Sequence, residues 1–179
     1  MSLGLTSGVI FTIGHSTRTA DEFLALLRAH EVRLVADVRT VPRSRWHPHF
    51  SSETLAAFLA AHEISYVHLP GLGGLRKPRK DSANSGWRND SFRGYADHMS
   101  SREFLDDLDR LIARASAQQA AVMCAEAKWW QCHRQLIADA LVARGQEVHH
   151  IMSATQAPLH ELTPFARVEG SSVSYPGLV

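Results

Sequence analysis

Short apolar runs rich in β-branched residues alternate along this chain with stretches of helical period, and few architectures accept that pattern. Gly8 to Ile13 is apolar and breaks at Gly14; Thr19, Asp21 and Glu22 then open a stretch with Phe23, Leu24, Leu26 and Leu27 on one face. This reads as a strand followed by a helix. Arg33 to Val38 forms a second buried strand. Ser51 to Thr54 opens another helix, with Leu55, Phe58 and Leu59 inward and Ser51 or Ser52 as its expected cap. Ile64 to Leu69 is a third strand, stopped by Pro70-Gly71. Ser101 to Ala115 is a helix with Phe104, Leu105, Leu108, Leu111 and Ile112 on its apolar face. Ala120 to Ala125 is a fourth strand, Gln131 to Ala143 a helix closed by Gly145 as a left-handed cap, and Glu147 to Met152 a fifth strand. The long Gly- and Arg-rich segment from Pro70 to Gly94 reads as a loop, and everything after Ser153 as a tail with a short turn around Leu162 to Phe165.

Alternation of this kind predicts an α/β fold: a single three-layer domain with a mostly parallel sheet of about five strands and helices on both faces. The expected extent is one domain over residues 1–179, with its core at 8–152 and a tail at 153–179. An α+β fold with one antiparallel edge strand is the alternative.

Composition narrows the function classes. The 179 residues suit one hydrophobic core. A hydrophobic fraction of 45% with 21% charged residues excludes wholesale disorder. The formal charge of +1 excludes a polycation that coats nucleic acid, and no apolar run is long enough to span a membrane. The first residues carry no basic region ahead of a long apolar stretch, so they read as a strand lead-in and a cytoplasmic setting is expected. The two cysteines, Cys124 and Cys132, cannot build a disulfide framework and are expected to be free thiols.

Ligands of an open parallel sheet bind beyond the carboxyl ends of its strands. Those exits carry Gly14, His15, Ser16, Thr17 and Arg18; then Asp37, Arg39, Arg43 and Arg45; then Gly71, Gly73 and Gly74; then Cys124 and Glu126. Cys132, His133 and Arg134 fall at the expected start of a helix, where free N–H groups and the helix dipole favour an anion or a thiolate. Cys132 is therefore either a nucleophile or a small packing residue. Glu126 is either a general acid or base or the partner of Arg39 or Arg134. Asp37 shares these proton-handling and ion-pair readings with Arg39, two residues on along the same strand. The candidate catalytic set is Cys132, Glu126, Asp37 and His15. The candidate substrate-binding set is Ser16, Arg18, Arg39, Arg43, Gly73, Gly74, Tyr95, His133 and Arg134. The loops 39–50 and 71–95 are basic and interleaved with Trp46, Phe50, Trp87, Phe92 and Tyr95, which suits a phosphorylated ligand, a stacked base or a single strand of nucleic acid. His47 and His49 lie two apart and His149 and His150 are adjacent, but no zinc-type cysteine spacing occurs and no metal is expected.

Several runs together resemble one family. They are Ile13-Gly14-His15-Ser16, Asp37-Val38-Arg39 followed by Pro42, and Tyr66-Val67-His68-Leu69-Pro70 through Gly73-Gly74. Phe92-Arg93-Gly94-Tyr95-Ala96, Met123-Cys124-Ala125-Glu126, Cys132-His133-Arg134 and Leu162-Thr163-Pro164-Phe165 complete the set. In order and spacing the chain resembles domain-of-unknown-function family 488. The resemblance implies a compact bacterial or archaeal α/β domain; it supplies no reaction, nucleophile or cofactor, and the cofactor remains unknown.

The residues themselves favour an enzyme acting on an anionic small molecule, phosphorylated or nucleotide-like, at the carboxyl edge of the sheet. The reactive group of such a hydrolase or transferase would be Cys132 or Glu126. A nucleic-acid-binding module using loops 39–50 and 71–95 is the first alternative. A metal-assisted hydrolase using His15, Asp37 and Glu126 is the second.

Overall fold

A computed structural model describes residues 8–177; the lead-in expected at residues 1–7 lies outside them. Five strands form one sheet: β1 (Val9–Gly14), β2 (Leu34–Asp37), β3 (Ser65–His68), β4 (Ala120–Cys124) and β5 (Glu147–His150). Every pairing is parallel and the order is β3-β2-β4-β1-β5. Five helices connect and flank them: α1 (Ala20–Ala29), α2 (Ser52–Ala61), α3 (Asp90–His98), α4 (Arg102–Ala117) and α5 (Arg134–Ala143).

Side chains alternate along each strand, so the sheet carries two separate apolar layers. Ile13, Val35, Ala121 and Met123 pack with Phe23 and Leu27 of α1 and Leu55 and Leu59 of α2. Ile10, Leu34, Ala36, Ala120 and Val122 pack with Tyr95 of α3, Leu108 and Leu111 of α4, and Ile137 and Leu141 of α5. Small side chains at Ala120 and Ala121 suit a central strand covered on both faces. Thr19 caps α1 by accepting the Glu22 N–H at 3.1 Å, and Ser101 caps α4 through the Phe104 N–H at 3.2 Å. Ser51 does stand at the start of α2, but its hydroxyl accepts from the Ser44 N–H at 3.4 Å and makes no cap bond. Gly145 is left-handed at φ 81° just past α5. Among the described residues no helix is long and apolar enough to cross a membrane.

Three local expectations need correction. The segment expected to be a loop through Gly94 already turns helical at Asp90, because the Asn89 carboxamide accepts from the N–H groups of Ser91 and Phe92. Gly94 hid this helix from the pattern; it is needed because a Cβ there would sit 2.2 Å from the Arg76 carbonyl oxygen. The helix expected from Gln131 begins at Arg134, so Cys132 and His133 precede its first turn. The segment after Ser153 is no loose tail. It forms a hairpin of β6 (Arg167–Glu169) and β7 (Ser172–Ser174), and His160, Thr163 and Tyr175 are buried.

The connection from β1 leads through α1 toward β2, whereas that from β4 leads through α5 to β5 on the opposite side. The carboxyl ends of β1 and β4 therefore lie side by side where the winding reverses, the point at which such sheets open a crevice.

Candidate functional site

The exits of β1 and β4 are zipped together. The His15 N–H donates to the Cys124 carbonyl and the Ser16 N–H to the Ala125 carbonyl, both at 2.9 Å. Gly14 permits this approach: a Cβ there would lie 1.7 Å from the Glu126 carbonyl oxygen. Ser16 turns the chain with φ 51°. The His15 ring stacks on Phe50 with centroids 4.3 Å apart, and its Nδ1–H donates to the Ser16 carbonyl. Burial, aided by the Arg39 charge and opposed by the Ser16 bond, lowers its pKa to about 4, so the ring is neutral.

Arg39 grips Asp37 bidentately, Nε to Oδ1 at 2.9 Å and a terminal nitrogen to Oδ2 at 2.7 Å; the same terminal nitrogen also donates to the Phe50 carbonyl. Tyr66 donates its hydroxyl to Asp37 as well. Asp37 is fully buried behind this pair, so the ion pair is what the geometry shows for it. Arg39 keeps one terminal nitrogen 3.4 Å from His15 Nε2 and faces a cavity of about 290 Å³. His15, Arg43, Ser44, Gly74, Cys124, Glu126 and His133 also line that cavity. A second cavity of about 400 Å³ meets the first at Gly74, Leu75, Glu126 and His133, and adds Tyr95, Trp130 and Cys132.

Cys132 holds the densest chemistry. Its sulfur lies 2.8 Å from Cys124 Sγ, 3.4 Å from His133 Nδ1 and 3.4 Å from the Arg134 backbone nitrogen. The Arg134 N–H belongs to the open first turn of α5, so Cys132 takes the role a capping serine takes elsewhere. His133 Nε2 donates to the Val38 carbonyl at 2.9 Å, leaving Nδ1–H aimed at the sulfur when the ring is charged. Burial opposes a charge on Cys132, but the Cys124 bond, the His133 bond and charge, and the Arg134 charge outweigh it and hold the thiol well below its ordinary pKa. Burial also opposes the His133 charge, yet the Cys132 bond and charge raise its pKa. The Cys124 thiol moves the other way, pushed up by burial and then by its bond to Cys132 and the charge there. These opposed shifts favour a thiolate on Cys132 facing a charged His133, with the proton of the sulfur pair kept on Cys124.

Glu126 is exposed at the wall between the two cavities, and Cys124 Sγ, Cys132 Sγ and its carboxylate lie within 4.8 Å of one another. Two thiolates sharing a tetrahedral zinc stand about 3.8 Å apart, wider than the 2.8 Å seen between these sulfurs.

Of the sequence candidates, Arg18, Gly73 and Arg134 sit near this site without lining either cavity, whereas Gly74 and Tyr95 are part of the lining. The Arg134 guanidinium is buried, donating to the Glu126 carbonyl at 2.6 Å and to Thr12 Oγ1 at 3.3 Å, so it holds the turn that presents Glu126. Arg18 donates back to the Gly14 carbonyl. Gly73 and Gly74 pass tightly under Thr40 and His133; a Cβ on Gly74 would lie 3.1 Å from His133 Nδ1. Tyr95 is buried on the floor of the second cavity, with its hydroxyl on the Leu72 carbonyl. Of the five aromatic residues interleaved with the basic loops, Trp46 alone is largely exposed, at 84%. Arg79 and Arg93 are paired locally with Asp81 and Asp90.

Behind the site runs a polar chain that the sequence reading missed. Arg134 donates to Thr12 Oγ1, Thr12 to His150 Nδ1 at 2.6 Å, His150 Nε2–H to His160 Nδ1 at 2.9 Å, and His160 Nε2–H to Asp139 at 2.7 Å. Asp139 also accepts from the Thr163 N–H and hydroxyl and from the Tyr175 hydroxyl. One tautomer assignment satisfies every link. Trp129 stacks on His150 with centroids 4.1 Å apart. Asp139 itself was the available signal: a carboxylate between Ile137 and Ala140 on the apolar side of α5 demands buried partners.

Searches of curated proteins and of solved structures return no significant match. A family model does match, over residues 19–141, and its span takes in Asp37, Arg39, Cys124, Glu126 and the Cys132-His133-Arg134 run. On that match the chain belongs to the family described as domain of unknown function DUF488.

Proposed function

We propose that the protein is an enzyme acting on an anionic small molecule, phosphorylated or nucleotide-like, at the carboxyl edge of the sheet, with the Cys132 thiolate as its nucleophile. The observation that carries this reading is the set of three donors gathered on one sulfur: Cys124, His133 and the first turn of α5. A core cysteine kept for packing needs none of them. Arg43 and the free edge of Arg39 offer positive charge on one side of the cavity wall, and Cys132 reaches the other side beside Glu126 and His133. The anionic group sits at the arginines, the thiolate attacks the electrophilic centre, and His133 protonates the leaving group. Glu126, at the mouth of both cavities, is placed to activate the acceptor that releases the product. A small molecule is favoured over nucleic acid because the aromatic side chains of the basic loops are mostly packed inward and form no stacking platform.

Alkylation of Cys132 by iodoacetamide, followed by peptide mass spectrometry across pH, tests the nucleophile. The reaction persists well below the titration of a free thiol, and His133→Asn shifts its midpoint upward. Inorganic phosphate or adenosine monophosphate slows it in the wild type and not in Arg43→Ala. A wild-type profile matching that of a free thiol overturns the nucleophile; no protection by either anion overturns the substrate class.

A further inference from the structure

The proposed nucleophile leaves one feature unused. A second cysteine sulfur, that of Cys124, lies 2.8 Å from the Cys132 sulfur, and both cysteines are free. Hydrogen bonding to Cys132 does not require a cysteine at position 124, since a serine hydroxyl would donate better. What a thiol adds is the capacity to form a bond to sulfur. A disulfide has sulfurs about 2.05 Å apart, so closure needs a movement of less than about 1 Å. The movement falls to side-chain rotation and to the segment carrying Cys132: Cys124 ends β4, where its carbonyl is held by His15, whereas Cys132 precedes the first turn of α5 at the end of a short 3-10 turn. Both cysteines are buried, but each lines a cavity, Cys124 the first and Cys132 the second, and these cavities are the route by which a small oxidant would approach the pair.

We propose that Cys124 and Cys132 are a peroxide-oxidised dithiol whose disulfide shuts the site. The Cys132 thiolate attacks one oxygen of hydrogen peroxide; the O–O bond breaks, Cys132 becomes a sulfenic acid and hydroxide leaves. The Cys124 sulfur then attacks the Cys132 sulfur, the S–O bond breaks, and the sulfenic oxygen departs as water carrying the Cys124 proton. The two cysteines together lose two electrons, and peroxide is reduced to one water and one hydroxide. The roles divide as a peroxidatic and a resolving cysteine must: Cys132, with three donors on its sulfur, favours the thiolate, and Cys124, 2.8 Å away, keeps the proton. The disulfide removes the charge that keeps His133 protonated and the acceptor that caps α5. The meaning of this change as an off-switch rests on Cys132 being the nucleophile proposed above; formation of the bond does not.

The folded full-length chain is treated with one equivalent of hydrogen peroxide, blocked with iodoacetamide without reductant, and analysed by intact mass and peptide mapping. The expected result is a monomer lighter by two hydrogens, with reactive thiols falling from two to none, a crosslink joining the Cys124 and Cys132 peptides, and full reversal by dithiothreitol. In Cys124→Ser the expected product is a Cys132 sulfenic acid trapped by dimedone, with no crosslink. Circular dichroism checks that this variant is folded, and Cys124→Ala serves if it is not. Sulfenic or sulfinic acid accumulating on wild-type Cys132 without the crosslink, or a crosslink only between two chains, overturns the proposal. If the crosslink forms while Cys132 titrates as an ordinary thiol, the dithiol stands and the nucleophile falls. If Cys132 is activated and anion-protected but no crosslink forms, the nucleophile stands and the dithiol falls.

Discussion

Gly14, Asp37 and Cys132 show how single positions carry the site. Gly14 is where two strand exits close on each other, and a methyl group there would meet the Glu126 carbonyl at 1.7 Å. Backbone cannot yield as a flexible side chain does, so Gly14→Ala is expected to cost about 3 kcal/mol or more, the upper range of overpacking. Urea denaturation measures this, and an unchanged midpoint would show that the two exits separate freely. Asp37 spends its charge on Arg39 and Tyr66 and thereby fixes a guanidinium that would otherwise sample many rotamers. Arg39 stood out in the sequence at a strand exit and Cys132 at an expected helix start. Their assignments did not: an arginine looks the same in sequence whether its partner is a substrate or a buried carboxylate.

At the scale of elements, the segment after Ser153 matters more than its composition suggests. Its polar residues dock on α5 through Asp139, which accepts from His160, Thr163 and Tyr175 inside the protein. Asp139→Ala strands these donors together, so a loss of about 3 kcal/mol is expected. The loss should be accompanied by faster amide exchange across residues 167–175 than across the sheet, read by hydrogen–deuterium exchange mass spectrometry. Uniform exchange in both regions would mean that Asp139 does not latch the hairpin. The strands and α1, α2, α4 and α5 could be read from their apolar periods because each buries one continuous stripe. Helix α3 could not, since Gly94, Tyr95 and Ala96 are its buried residues and the rest of its surface is polar. The hairpin β6–β7 buries little of itself, so its alternation is faint.

The whole molecule couples its stability to pH through two neutral histidines. Burial lowers His15 to about 4, and burial, with His160 and Arg134 as neighbours that disfavour a further positive charge, lowers His150 to about 3, against 6.5 for a free ring. Between those values the unfolded chain binds protons that the folded one refuses, so the stability these two rings contribute is complete above pH 6.5 and falls as the pH drops. Each ring contributes a slope of about 1.4 kcal/mol per pH unit. Denaturation midpoints at about pH 7 and about pH 5 measure the combined slope, and His150→Gln should roughly halve it. A wild type equally stable at both would mean that these rings take up protons without loss of the fold.

Periodicity and composition by themselves determined the α/β class, the parallel sheet and the edge at which polar groups collect. Those properties follow from local rules: an apolar run must be buried, and an amphipathic stretch must lay its stripe on something. Tertiary structure alone decided which side chains meet. Cys124 and Cys132 are separated by a turn, Thr12 and His150 by most of the chain, and Asp139 and Tyr175 by a helix end, β5 and the hairpin. Hydrogen bonds act over about 3 Å, and the strand order β3-β2-β4-β1-β5 brings the exits of β1 and β4 that close, although more than a hundred residues of sequence separate them.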